Sequence, residues 1–102
     1  PKGVVLSLKR FRVRFVQGRA VVKKVDTQIS FETLLPVWHT EQPYHLRGVI
    51  QHHGTAGGGH YTAYVRAVDN YWYHCDDGRP PVRVHTDAVL EAQAYVLVYE
   101  KP

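Results

Sequence analysis

Apolar and polar positions alternate with a period of two along most of this chain, the signature of strands that bury one face. From Gly3 to Val16 the apolar positions are Val4, Leu6 and Leu8 and then Phe11, Val13 and Phe15, so the parity changes across Lys9 and Arg10. Such a change predicts a bulge, a bend or a change of buried face at that point. Gln17-Gly18-Arg19 predicts a hairpin turn, with Gly18 free to take positive φ, and Ala20 to Val25 the returning strand. Ile29 to Leu35 is apolar but irregular, and Pro36 and Pro43 bracket a connection holding Trp38 and His39. Tyr44 to Gln51 predicts a strand with Tyr44, Leu46 and Ile50 on one face. Beyond a glycine-rich stretch, Tyr61, Ala63, Val65 and Ala67 alternate with Thr62, Tyr64 and Arg66 in a strand that runs to Val68. Asp69-Asn70 is a turn signal and Tyr71 to Cys75 an aromatic strand. Val82 to Val84 is a short strand after Pro80-Pro81, and Ala94 to Tyr99 the last. One helical signal, a turn or two across Asp87 to Ala92 with Thr86 as its cap, interrupts them. The predicted fold class is mainly β: an antiparallel sheet with one short helix.

Composition places these elements in one ordinary domain over residues 1–102, with 44% hydrophobic and 22% charged residues. No apolar run has the length of a membrane-spanning helix, and no signal-peptide layout is present, so no membrane partner is expected. Cys75 is the single cysteine, which excludes an internal disulfide and fits an intracellular, reducing compartment, cytoplasm or nucleus. A sequence with no methionine that opens on Pro1 reads as a piece of a longer chain, an incomplete domain. Its charge is uneven: eight Lys and Arg precede Asp26 with no acid among them, and nine acids follow. A basic end suits a nucleic acid or an acidic partner, and equally a solvated strand face.

Candidate chemistry concentrates in residues 52–61, which hold three of the seven histidines and four of the eight glycines. If the strands flanking Asp69-Asn70 pair about Val68, His60 faces Asp76 directly across the ladder. A carboxylate beside an imidazole fixes its tautomer and stabilises its protonated form, an arrangement that serves a nucleophile about to lose a proton. A pair that merely decorates a hairpin is the plainer reading, and the register alone does not choose between them. The nucleophile is missing. Cys75 adjoins Asp76 in an extended segment and must face away from it, which makes it a core residue. The spacings of His52, His53, His60, His74, Cys75 and His85 match no common zinc pattern, so no metal and no cofactor is expected. Gly57, Gly58 and Gly59 lead into a strand and lack the Lys-Ser/Thr ending of a phosphate loop; close approach of another backbone is their more natural use.

Five blocks in order resemble the C-terminal, His-box part of the ubiquitin-specific protease catalytic domain, a family of papain-like cysteine deubiquitinases. Val4-Val5-Leu6-Ser7-Leu8-Lys9-Arg10-Phe11 resembles the family's "vLilhLkRF" strand. Tyr44 to Gly54 resembles "YxLxavixHxG", and Gly59-His60-Tyr61-Thr62-Ala63-Tyr64 its "GHYxay". Trp72 to Asp77 resembles "WyxfnD", and Ala94 to Tyr99 "aYxLfY". The resemblance implies a palm-like antiparallel sheet, part of a papain-like fold that is α+β when complete. It implies His60 as general base, Asp76 as the third triad member and Asp77 as support. It also implies that Gly54, Gly57, Gly58 and Gly59 flank a substrate tail ending in two glycines, with His52 and Tyr61 lining the channel. Ubiquitin and ubiquitinated proteins are then the partners, together with an N-terminal half carrying the Cys box and oxyanion residue, which this sequence lacks. Without that half the chain is expected to be inactive. Cys75 stands where the family usually has Phe, in keeping with a packing role.

Two other classes stay open on the residues themselves. One is a ubiquitin-binding or scaffold module without catalysis. The other, the weakest, is a basic β-domain for nucleic acid, suggested by Arg10, Arg12, Arg14 and the Tyr/Trp-rich strands.

Overall fold

A computed structural model describes residues 3–8, 11–24, 29–36, 42–55 and 58–101. They form nine strands and one helix, all but β4 in the predicted order: β1 (Gly3–Ser7), β2 (Phe11–Val16), β3 (Arg19–Lys24), β4 (Leu34–Leu35), β5 (Tyr44–Thr55), β6 (Gly58–Arg66), β7 (Trp72–Asp76), β8 (Val82–Val84), α1 (Thr86–Leu90) and β9 (Val96–Glu100). Seven of these strands form one sheet in the order β1-β9-β5-β6-β7-β8, with β4 paired to the start of β5. All the pairings are antiparallel. No helix among the described residues is long and apolar enough to cross a membrane.

The parity change after Leu8 marks a change of sheet: β1 lies in the large sheet, whereas, among the described residues, β2 pairs with β3 in a separate two-stranded one. Lys9 and Arg10 themselves, the connection with Trp38 and His39, and Gly57 lie outside the described residues. The β2–β3 turn is as expected, with positive φ at both Gln17 (51°) and Gly18 (77°), the pattern of a two-residue type I′ hairpin.

The core sits on one face of the large sheet. Tyr44, Leu46 and Val49 of β5, Trp72 of β7, and Leu97 and Tyr99 of β9 are buried there. Val89, Ala92 and Ala94, from α1 and the segment after it, complete the same cluster. Val49 replaces the expected Ile50 on this face because β5 carries a bulge: Leu46 pairs with Tyr99 and Gly48 with Val98, leaving Arg47 as the extra residue. The bulge shifts the parity, and Ile50 is only half-buried.

The cap of α1 also differs from expectation. His85, not Thr86, holds the extended N-cap conformation, and its Nδ1 accepts the Asp87 N–H at 3.1 Å. A five-residue helix does not hold itself together; burial of Val89 against the sheet does that. The irregular segment before β4 is fixed by its carbonyls, Glu32 accepting the Tyr99 hydroxyl at 2.8 Å and Thr33 the Leu46 N–H at 2.8 Å. Burial pushes the Tyr99 phenol upward in pKa.

Candidate active site

β5 and β6 run further toward each other than the sequence suggests. They pair from Gly48↔Val65 to Thr55↔Gly58, so Gly54, Gly58 and Gly59 belong to the ladder and not to a loop. The glycines are used for close packing. Gly54 has a φ of 105°, and a Cβ on Gly59 would overlap the His52 imidazole and the His53 carbonyl oxygen.

The turn from β6 to β7 sets what lies opposite what. Asp69 accepts the Tyr71 N–H at 3.0 Å and the Tyr73 hydroxyl at 2.6 Å, while Asn70 takes the left-handed conformation at φ 67°. The Tyr73 hydrogen bond lowers the Asp69 pKa, and the same bond raises that of Tyr73. Arg66 then pairs with Trp72 and Thr62 with Asp76. Asp76 is therefore opposite Thr62, not His60, a slip of two residues from the expected register. Because the slip is even, His60 and Asp76 keep the same face. They meet diagonally, His60 Nε2 lying 2.6 Å from Asp76 Oδ1, a distance at which an N–H donates to a carboxylate.

Asp76 is the last residue of β7, and a tight turn with Gly78 at φ 66° and Arg79 N donating to Asp76 O at 2.9 Å follows it. The hydrogen bond from His60 holds the Asp76 carboxyl below its usual pKa, with the charges of His60, Arg79 and His74 acting the same way. Since Nε2 is committed to Asp76, the lone pair of the neutral His60 ring is on Nδ1. That atom is the one available to take a proton. The His60 side chain is 49% exposed, so it is open to an approaching group.

The same face holds residues the sequence reading passed over. His53 pairs with His60 across the ladder, and its Nε2 lies 2.7 Å from Oγ1 of buried Thr62. Gln51 accepts from the Thr62 hydroxyl at 3.5 Å. The short β5–β6 connection is the signal that finds them: it fixes which parity of β5 shares a face with His60.

His52 and Tyr61 pair on the opposite face, their rings 4.9 Å apart edge to face, with Tyr95 at 5.9 Å from His52 and 5.8 Å from Tyr61. Asp77 is exposed in the turn after β7. Cys75 also lies on this second face, opposite Ala63 and beside Val65, Tyr73 and Pro81. Its orientation away from His60 is as expected, but it is half-buried on the outer surface and not part of the core.

The sequence profile of ubiquitin carboxyl-terminal hydrolase matches residues 1–99. Ubiquitin carboxyl-terminal hydrolases 9 and 10 of Arabidopsis thaliana are each 34% identical over 114 residues, covering 99% of this chain and 12% and 11% of those proteins. Among solved structures, the yeast SAGA DUB module with a mutant Sgf73 matches with a TM-score of 0.83 at 30% identity, over 98% of this chain and 23% of that one. The SAGA Ubp8/Sgf11/Sus1/Sgf73 DUB module bound to ubiquitin aldehyde also gives 0.83, at 28% identity over 98% and 24%. This chain thus spans a small part of each relative, and its sheet has the fold of deubiquitinase domains. A family profile that matches residues 1–99 of the 102, together with relatives 34% identical across 99% of the chain, shows that the chain belongs to the ubiquitin carboxyl-terminal hydrolase family.

Proposed function

We propose that this chain carries the base and orienting half of a thiol-dependent deubiquitinase site, with the nucleophilic cysteine supplied from outside these 102 residues. The observation that carries the reading is the His60–Asp76 pair at 2.6 Å. Cys75 supports the division, because it occupies the opposite face of the sheet and has no path to His60 Nδ1.

In this reading His60 Nδ1 takes the proton of the incoming thiol while Nε2–H remains on Asp76, which orients the ring and stabilises the imidazolium. The thiolate attacks the carbonyl at the ubiquitin C-terminus, and Nδ1–H then protonates the departing lysine amine, leaving a thioester. Water, deprotonated by the same nitrogen, releases the acid and the thiol. Gly54, Gly58 and Gly59 form the edge along which the slender tail passes, and Asp77 supports the turn beyond Asp76. His52 and Tyr61 brace this hairpin end from its other side, His52 filling the space a Cβ on Gly59 would take. Ubiquitin conjugates are the substrate class.

Joining the chain to, or mixing it with, the cysteine-bearing half of a family member tests this on a ubiquitin C-terminal reporter. Turnover is expected from the combination, lowered by a factor on the order of 10⁴ or more by His60→Ala. Turnover by this chain alone that disappears in Cys75→Ala overturns the assignment.

A further inference from the structure

Two arginines share a cleft at the end of the β5–β6 hairpin remote from His60. The ladder stops at Gly48↔Val65, and Arg47 and Arg66 are the next residue on each strand. Six residues of β6 separate Arg66 from His60, roughly 20 Å of extended chain. With Val65, Ala67 and Glu100 the arginines line an open cleft of about 530 Å³. The Nε atoms of both are buried, and neither has a hydrogen-bond partner among the described residues. Glu100 is the single acid among the described lining residues. Its side chain is 59% exposed, and its carboxylate stands 3.6 Å from Arg47 Nε, too far for a hydrogen bond.

An idle buried donor costs free energy that an incoming acceptor removes. The Nε–H and adjacent Nη–H of a guanidinium form a planar fork that matches the two oxygens of a carboxylate. Both heads border the cleft, so a turn about the side-chain stem presents that fork to an acceptor. Two cations against one acid leave the cleft positive, which favours an anion. An apolar recess of about 350 Å³ adjoins it: Val65 and Ala67 line both, and Tyr73, Cys75 and Pro81 complete the recess. The Tyr73 hydroxyl is spent on Asp69, which leaves the walls apolar. A nucleic acid fits this combination poorly, because its phosphates need a run of cations and here meet Glu100.

We propose that the Arg47–Arg66 cleft docks an acidic peptide segment of a partner protein, one carboxylate on the arginines and one apolar side chain in the recess. In an extended segment, side chains two positions apart share a side about 7 Å from each other, the spacing of Val65 and Ala67 along β6. The site holds a partner away from the His60–Asp76 pair and does not rest on that pair being catalytic.

The test follows the backbone amide NMR signals of this chain, dilute enough to be monomeric by light scattering. The probe is a capped hexapeptide with one glutamate and, two positions on, one leucine. Shifts are expected at Val65, Arg66 and Ala67 and not at His60. A glutamine in place of the glutamate, or a glycine in place of the leucine, is expected to weaken binding about tenfold. Arg66→Lys keeps the charge, loses the fork and is expected to bind several times more weakly. Glu100→Gln removes the competing carboxylate and is expected to bind more tightly; this exposed position keeps the test readable even where Arg66→Lys lowers stability. No shifts at millimolar peptide, or equal binding of the glutamate and glutamine peptides, overturns the proposal. So does displacement of the peptide by an equal concentration of phosphate or of a single-stranded oligonucleotide. Cleft signals that move with the chain's own concentration and not with peptide overturn it too, making the occupant a second copy. Each of these results leaves the deubiquitinase reading standing, and an inactive reconstituted enzyme leaves the docking site standing.

Discussion

Asp76 is the residue on which the candidate site's pH behaviour turns. Its carboxyl is held below the ordinary value of about 3.9 chiefly by the hydrogen bond from His60. A group whose folded pKa is depressed contributes stability above its unfolded pKa and loses it as pH falls through the folded one. The native chain is therefore expected to melt higher than Asp76→Asn from neutral pH down to about 4, and the two are expected to converge below that value. Thermal melts at a series of pH values check this, and a difference that does not change with pH would assign the effect to packing. Because His60 Nε2 keeps its hydrogen whether the ring is neutral or charged, the contact itself survives loss of the imidazole's second proton. The identities of both residues were legible in the sequence. Their geometry was legible only in part, because the turn pinned by Asp69 moved the register by two residues.

The single extra residue at Arg47 decides which face of β5 does what. Before it, Tyr44 and Leu46 point to the core; after it, Val49 does, with Gln51 and His53 following on the same side. Alternation read without the bulge put Ile50 in the core and gave no reason to single out His53. Nothing in Leu46-Arg47-Gly48-Val49 announces a bulge, since the preference arises from pairing with Val98 and Tyr99 of β9, far along the chain. The short-range signals fared better: the Gln17-Gly18 turn and the strand-forming aromatics gave elements close to those observed. Deleting Arg47 leaves Leu46 and Gly48 consecutive opposite Tyr99 and Val98, so Val49 is expected to keep its core face and cooperative unfolding to persist. Arg47→Ala keeps the residue count and loses the partly exposed 3.6 Å ion pair to Glu100, an expected cost of about 1 kcal/mol or less. Circular dichroism melts check both, and loss of a cooperative transition in the deletion would mean that Arg47 is not the extra residue.

On the scale of the molecule, the described residues cover the large sheet on one side only. The chain measures 52 × 38 × 21 Å with a radius of gyration of 15.9 Å, above the roughly 13 Å of a compact chain of this length. On the second face Val96, Ile50, Ala63 and Cys75 line up across four strands, and none of them is fully buried. Val5, Tyr61 and Val65 flank this row at 66%, 54% and 42% exposure. A contiguous apolar surface of this kind favours association, because each copy removes from water what the other leaves exposed. Among the described residues the buried apolar core is small, nine side chains, so unfolding does not need to be far away for the open sheet to aggregate. This chain is expected to self-associate with rising concentration, and Ile50→Thr with Val65→Lys to shift it toward monomer without lowering its melting temperature by more than a few degrees. Light scattering across a dilution series reads the first and a melt the second. A monomer that stays monomeric at high concentration would mean that the apolar row is too narrow to drive contact between copies.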